Sequence, residues 1–135
     1  MALPNSLLEA STWRLIGLST TTLLFGLGSW PLVAPFSAAD AIGISNPSTK
    51  ESQSITRKAM IFLGVRDVAA ASVLAWFYRH DQLHEMGVLL LAWLPVVIAD
   101  TSVAMMGPRG FDGGVWGLWV GAVVTAFIGA GLAQM

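Results

Sequence analysis

Four long apolar segments constrain this chain more than any other feature of its sequence. They cover residues 13–36, 59–78, 86–105 and 115–133. Each is close to the length of about 20 residues that a helix needs to cross a bilayer. Segments of this length are too long for the strands of a membrane barrel, and only helices or closed barrels satisfy the backbone in lipid. The sequence therefore predicts an all-α fold, a single four-helix transmembrane bundle with antiparallel, up-down topology over residues 1–135.

The composition agrees with a membrane protein and excludes several functional classes. Hydrophobic residues make up 55% of the 135 residues and charged residues only 11%, against about 25% charged in soluble domains. The net charge of −1 provides no basic patch, so we expect no nucleic-acid partner. Cysteine is absent, which excludes disulfides, thiolate catalysis and cysteine-bound metals.

Basic residues near the ends of the segments predict the orientation of the chain. They divide four against two between the two sides of the membrane: Lys50, Arg57, Lys58 and Arg109 against Arg14 and Arg79. The richer side is cytoplasmic by the positive-inside rule, which places both termini on the non-cytoplasmic side. The first segment is interpreted as a retained helix, because residues 1–12 lack the basic residues of a signal peptide. We expect a multi-pass integral membrane protein, with the endoplasmic reticulum as one candidate membrane.

Polar side chains on all four segments fall at a similar depth. Arg66 and Asp67 lie roughly 10–12 Å inside the second segment at 1.5 Å per helical residue. Asp100 and Ser29 lie about 8–10 Å from the same face on the third and first segments. Thr125 lies on the fourth segment, somewhat deeper from that face. Charged groups at such depth are costly and usually have a function. The sequence therefore predicts a buried polar pocket nearer the face that carries the longer loops.

The charges in this pocket suggest acid–base chemistry. Arg66 is expected to reach across to Asp100, because a guanidinium can bind a carboxylate with two hydrogen bonds. Asp67 would then be the general acid or base, and Arg66 would stabilise negative charge or hold a substrate oxygen. Asp100 would orient Arg66 or share the proton. The alternative is a purely structural ion network between two helices.

The remaining candidate substrate-binding residues surround this polar layer. We predict substrate contacts from Ser29, Trp30, Gly64, Trp119 and Thr125. Trp30 adjoins the layer and could line a pocket, with simple packing as the equal alternative. A proline within a membrane helix bends the helix. Pro31 directly follows Trp30, and Pro95 lies five residues before Asp100.

A ridge of small residues follows the fourth segment at four-residue spacing. It consists of Gly113, Gly117, Gly121, Thr125 and Gly129. Small residues let helix backbones approach closely in a membrane. The ridge is interpreted as a contact inside the bundle, with a homo-oligomer through Gly113, Gly117 and Gly121 as the alternative.

Two histidines lie in the polar hairpin between the second and third segments. His80 and His84 have the spacing of one helical turn and are accompanied by Asp81 and Glu85. A zinc site is conceivable for this set, but a solvated turn is the preferred interpretation, and we predict no metal.

The stretch Gly64-Val65-Arg66-Asp67, an alanine-rich helix, a polar hairpin and a third helix with Asp100 together resemble a known family. The family comprises small four-helix integral membrane proteins catalogued as a domain of unknown function, frequent in fungi and also present in bacteria. Its recurring element is Gly-x-Arg-Asp on the second span with an acidic residue on the third. The resemblance covers roughly residue 59 to the C-terminus and implies a four-span bundle. Fungal members accompany specialised-metabolite pathways, which implies an enzyme acting on a lipophilic intermediate.

The leading hypothesis is a cofactor-independent membrane enzyme of biosynthesis. It would act as an isomerase or cyclase, or catalyse a pericyclic step, on a lipophilic small molecule within the lipid bilayer, with Arg66, Asp67 and Asp100 as its catalytic residues. One alternative is a non-enzymatic protein that binds or transports a lipophilic ligand. Another is a structural membrane subunit with a buried Arg–Asp network.

Overall fold

The computed structural model describes residues 7–44, 47–107 and 113–135, which form helices connected by short turns. The helices are α1 (Ala10–Val33), α2 (Pro35–Ala41), α3 (Lys50–Arg79), α4 (Leu83–Met105) and α5 (Gly113–Leu132). No strand occurs within these described residues. α1, α3, α4 and α5 run alternately up and down, and each contains a stretch long and apolar enough to cross a membrane. The all-α membrane bundle predicted from the sequence is therefore confirmed.

The connection between the first two spans is more helical than the sequence suggested. α1 ends at Val33, because Ala34 precedes Pro35 and leaves the helical conformation, with φ −133° and ψ 69°; the residue before a proline disfavours the helical region. Pro35 then opens α2 at the first helical position, where its missing N–H costs nothing. α3 begins at Lys50, nine residues before the predicted apolar span, with Thr49 and Ser52 forming a capping box. The connection between the first two predicted spans thus contains most of α2 and the first turns of α3.

The long helices pack as two tight pairs, α1 with α3 and α4 with α5. Glycines make both close contacts possible. A Cβ added at Gly64 of α3 would lie 2.6 Å from the carbonyl oxygen of Gly28 in α1. A Cβ at Gly87 of α4 would collide with the backbone of Ala133 at the end of α5. Contacts between α3 and α4 are much sparser, so the two pairs leave room between them.

One end of the bundle is closed by large apolar side chains. We call this group the closed-end cluster; its buried members are Trp13, Leu74, Leu83, Met86, Leu90 and Leu132. They come from the start of α1, the second half of α3, the start of α4 and the end of α5. Gly131 lies directly against the Trp13 indole, where any side chain would collide with the ring. All four long helices are therefore joined at this end.

The small-residue ridge of α5 divides between two environments. Gly129 packs against Leu90 and Leu91 of α4, as expected for a contact inside the bundle. At Gly117 and Gly121 an added Cβ would meet no atom within 4 Å. The expectation that the whole ridge packs inside the bundle is therefore wrong at these two positions. A homo-oligomer through this face stays a prediction. The packing around Gly113 falls outside the described part of the structure.

The basic residues used to predict orientation are separated by the length of α3. Lys50, Arg57 and Lys58 lie in the first third of this helix, and Arg79 is its last residue. Arg14, in the second turn of α1, lies at the same end as Arg79 and pairs with Asp81. Arg109 and most of the glycine-rich loop around it lie outside the described residues. The orientation itself stays a prediction.

Candidate functional site

Arg66 joins the carboxylates of Asp67 and Asp100 in one ion network. Its Nη1 donates to Oδ1 of Asp100 at 3.1 Å and its Nη2 to Oδ2 at 2.6 Å. Nε donates to Oδ1 of Asp67 at 3.0 Å. The cross-helix pair between Arg66 and Asp100 predicted from depth is therefore present, and each guanidinium nitrogen has an acceptor. The indole of Trp93 also contacts this group, with its ring centroid 5.6 Å from the guanidinium carbon.

Local helix packing positions the two acids. Gly28 of α1 lies against Asp67, since a Cβ added there would come within 2.9 Å of the Asp67 Cβ. On α4, Pro95 lies within the helix five residues before Asp100 and leaves the carbonyl of Leu91 without its helical donor. The neighbouring Thr101 is fully buried and donates to the Val97 carbonyl. Asp100 thus follows an interrupted helical segment and faces α3.

A cavity of about 640 Å³ lies beside this network. It is partly enclosed and occupies the space between the α1–α3 pair and the α4–α5 pair, at the end opposite the closed-end cluster. Asp67 and Asp100 are the only charged side chains among the described lining residues. The walls are otherwise apolar or glycine: Leu27, Trp30, Pro31, Ala38, Ala41, Ile42, Gly43, Ile44, Ala59, Met60, Leu63, Val103, Ala104, Gly107 and Leu118. The structure thus places two carboxyl groups in an apolar compartment.

The short helix α2 forms one wall of the cavity, which the sequence analysis did not anticipate. Ala38 and Ala39 of α2 pack on Met60 of α3, with Ile42 and Leu63 beside them. The sequence did carry a signal, because a proline followed by Phe-Ser-Ala-Ala-Asp-Ala is a typical helix start with good helix formers behind it. The predicted first span over residues 13–36 instead takes the start of this stretch as the end of a membrane helix.

The predicted substrate-binding residues have different locations. Trp30 lines the cavity. Ser29 donates its hydroxyl to the Phe25 carbonyl at 2.7 Å, and Gly64 forms the close contact with Gly28. Trp119 and Thr125 are half-buried on α5. Ser29, Gly64, Trp119 and Thr125 are not among the residues that line the cavity, and their contacts with a substrate stay predictions.

Trp119 nevertheless has one unusual feature. Its Nε1 is buried and has no hydrogen-bond partner within the described residues. A buried donor without a partner is uncommon in native proteins. Trp119 follows the cavity-lining Leu118 in the sequence, but its own ring is not part of the lining.

The histidine-containing hairpin has structural contacts. Asp81, which adopts a positive φ of 61° in the turn, pairs with Arg14 at 2.7 Å. His80 lies on Trp76, with ring centroids 4.2 Å apart, and its Nδ1 is 2.8 Å from the Trp76 carbonyl oxygen. Across the described ranges, no group of three histidine or acidic side chains is arranged to hold a metal ion.

A shallower groove of about 480 Å³ follows the contact between α1 and α3 near the closed end. Its wall includes Thr21, Thr22, Ser72 and Arg79. The three hydroxyl groups donate to carbonyls of their own helices. The hydroxyl groups of this groove are therefore less available to a ligand than the carboxyl groups beside the cavity.

Comparison with known sequences places the chain in a family without adding a reaction. No functionally curated protein and no solved structure matches the sequence. The sequence profile of a domain of unknown function, DUF4267, matches residues 21–132. This range includes the second and third predicted spans, all but the last residue of the fourth, most of the first and all three members of the ion network. The chain is therefore a multi-pass membrane protein that belongs to the DUF4267 family.

Proposed function

We propose that this protein is a membrane enzyme that isomerises or cyclises a lipophilic small molecule in the cavity, with Asp67 as its proton-transferring residue. One observation carries this proposal. Arg66 holds Oδ1 of Asp67, whereas Oδ2 receives no hydrogen bond from any described residue, and Asp67 lines the cavity. A carboxyl group fixed by one oxygen and open at the other is suited to exchange a proton with a bound molecule.

The proposed reaction conserves the atoms and electrons of the substrate. In an isomerisation, the protonated Asp67 carboxyl group gives its proton to one carbon of the substrate, and the Asp67 carboxylate then recovers a proton from another carbon as the double bond shifts. In a cyclisation, Asp67 delivers the proton that starts ring closure and recovers one when the ring is complete. The product therefore has the same mass as the substrate in both cases.

Arg66 and Asp100 act as positioning residues in this proposal. Each guanidinium nitrogen already donates to a carboxylate, and Arg66 is not among the cavity-lining residues. This arrangement gives less support to the expectation that Arg66 holds a substrate oxygen directly. It favours a role in which Arg66 fixes the Asp67 carboxylate and Asp100 fixes Arg66 across the gap between α3 and α4.

A second candidate is a protein that binds or transports the same class of molecule without changing it. The partly enclosed apolar cavity supports both functions equally. The cross-helix ion pair also fits a structural subunit, although that role would leave the cavity without a purpose.

The test incubates the purified protein in lipid nanodiscs with a lipophilic extract of the source cells. Mass spectrometry then compares extracts treated with the natural chain, Asp67→Asn and the remote control Glu85→Gln, which alters an exposed acid at the start of α4. We expect one compound to be depleted and an isomer of equal mass to appear, except with Asp67→Asn. A compound that co-purifies unchanged supports binding or transport. Conversion by Asp67→Asn contradicts the proposed role of Asp67.

A further inference from the structure

The charge beside the cavity has one sign. With both acids ionised, one guanidinium and two carboxylates leave a formal charge of −1. Arg66 donates hydrogen bonds to those carboxylates and does not line the cavity, whereas both acids do. Within the described part of the chain no lysine, arginine or histidine contributes to the lining. A molecule in the cavity therefore meets carboxylate oxygens and no opposing cation.

An aromatic face lies in the same compartment. Trp30 lines the cavity, and 42% of this residue is exposed. Trp30 follows Gly28 by two residues on α1, and Gly28 touches Asp67. Indole faces attract cations, most strongly where water is excluded. The other tryptophan near the network, Trp93, already contacts the Arg66 guanidinium.

Building on the function proposed above, we propose that the cavity selects lipophilic molecules whose polar end is cationic, an ammonium group in the simplest case. The ammonium group would donate to the open oxygen of Asp67 and pack against the Trp30 ring. The apolar walls of α1, α2 and α3 would hold its hydrocarbon part. A carboxylate ligand of the same shape would meet a net negative charge in a compartment of low polarity and would bind least.

The same arrangement defines the charge that a substrate should develop during reaction. Carboxylates and an indole face stabilise positive charge, and the occupied guanidinium gives little help to negative charge. The proposed reaction should therefore start with proton delivery to the substrate and pass through a cationic species, rather than through a carbanion. An ammonium compound then resembles the reacting substrate in charge, and is the appropriate probe when the natural ligand is unidentified.

The experiment measures binding of three probes of matched size to the natural chain in nanodiscs of zwitterionic lipid. The probes are 4-phenylbutylamine, 4-phenylbutan-1-ol and 4-phenylbutyrate, and the amine is fully charged at pH 7, as a lysine side chain is. Equilibrium dialysis, corrected with empty nanodiscs, gives each dissociation constant. We expect the amine to bind at least about tenfold more tightly than the alcohol, and the carboxylate to bind least.

Variants connect this preference to the structure. Asp67→Asn should reduce the amine-to-alcohol ratio to near one, whereas Glu85→Gln should leave it unchanged. If Asp67→Asn does not fold, Trp30→Leu provides the decision, because losing the aromatic face should lower the affinity for the amine more than that for the alcohol. An unchanged ratio in a folded variant of either kind contradicts the proposal.

The possible failures are distinguishable. Equal binding of all three probes would overturn the charge selectivity but leave a lipophilic cavity and the proposed function intact. Binding of no probe above the level of empty nanodiscs would count against the cavity as a ligand site, and thus against the proposed function as well.

Discussion

At the scale of single residues, the Arg66 guanidinium links two acids of different accessibility. Asp67 is adjacent to it on α3, and Asp100 comes from α4. Asp100 uses both carboxylate oxygens on the guanidinium, whereas Asp67 uses only Oδ1. In the function proposed above, this difference makes Asp100 the positioning acid and Asp67 the acid that exchanges a proton, a distinction that residue type alone cannot make.

Replacement of Asp100 by asparagine should lower stability more than replacement of Asp67. Asp100→Asn removes the charge that accepts two bonds from Arg66 and spans the two helix pairs. We expect a loss of about 1–2 kcal/mol in the free energy of unfolding, at the low end for a charged hydrogen bond, because the Asp100 side chain is 32% exposed. Thermal unfolding in detergent measures it, with Glu85→Gln as the control. Equal melting temperatures for Asp100→Asn and the control would contradict this.

At the scale of helices, the crossing of α1 and α3 determines where the site can form. Gly28 and Gly64 bring the two backbones into direct contact one turn away from Asp67. In lipid, such contacts replace the hydrophobic effect as the source of helix association. Gly64 therefore has a packing role besides its predicted role in substrate binding. A small side chain at this position should lower stability if packing matters, and should weaken substrate binding if the predicted contact exists.

Two glycines on α1 provide a matched test of this crossing. In Gly28→Ala the new methyl group would lie 2.8 Å from the Val68 nitrogen, whereas at Gly26 no atom lies within 4 Å. We expect Gly28→Ala to destabilise the protein by about 1–3 kcal/mol through overpacking. Gly26→Ala should be neutral or stabilising by up to about 1 kcal/mol. Thermal unfolding compares them, and a tolerated alanine at Gly28 would show that the helices separate readily.

The wall formed by α2 provides a test of the cavity itself. Ala41 is exposed and lines the cavity, whereas Ala92 of α4 is exposed outside it. Tryptophan at position 41 should fill part of the space and weaken amine binding about tenfold or more, with little change in melting temperature. Tryptophan at position 92 should affect neither property. Retained binding in Ala41→Trp would place the ligand elsewhere.

The sequence predicted the lengths of the long helices better than the direction in which their side chains point. Hydropathy was sufficient for the four long helices, and depth counting placed Arg66 opposite Asp100, because both depend on distance along a helix axis. Rotation about that axis was not accessible, so Ser29 and Thr125, predicted at the depth of the ion network, are not among the residues that line the cavity. α2 was missed because its seven residues carry too little hydrophobic periodicity, which leaves only the proline start and the alanines behind it as a signal.

At the scale of the whole molecule, the two ends of the bundle differ in their packing and polarity. The closed-end cluster joins all four long helices, and the opposite end holds the cavity and the ion network. The largest apolar cluster and the proposed ligand site therefore lie in different halves of the same helices. Substitutions in the closed-end cluster should leave ligand binding largely unchanged.

Two leucine substitutions test this division. Leu132 is fully buried in the closed-end cluster, whereas Leu23 is 66% exposed. Leu132→Ala should cost about 2–3 kcal/mol, because the lost packing remains even where the transfer term is small in lipid. Leu23→Ala should cost much less. Probe binding by equilibrium dialysis should be the same in both variants, and weaker binding in folded Leu132→Ala would show that the two halves are coupled.

The closed-end cluster also determines how a membrane-dissolved molecule can reach the protein. Because large side chains fill the bundle at the closed end, a lipophilic ligand of the proposed site should enter from the leaflet at the opposite end. The protein should then sample one monolayer, and the slow flip of an amphiphile between monolayers would limit its supply from the other. A molecule delivered to the wrong monolayer should be a poor ligand in intact vesicles and a good one after the membrane is dissolved in detergent.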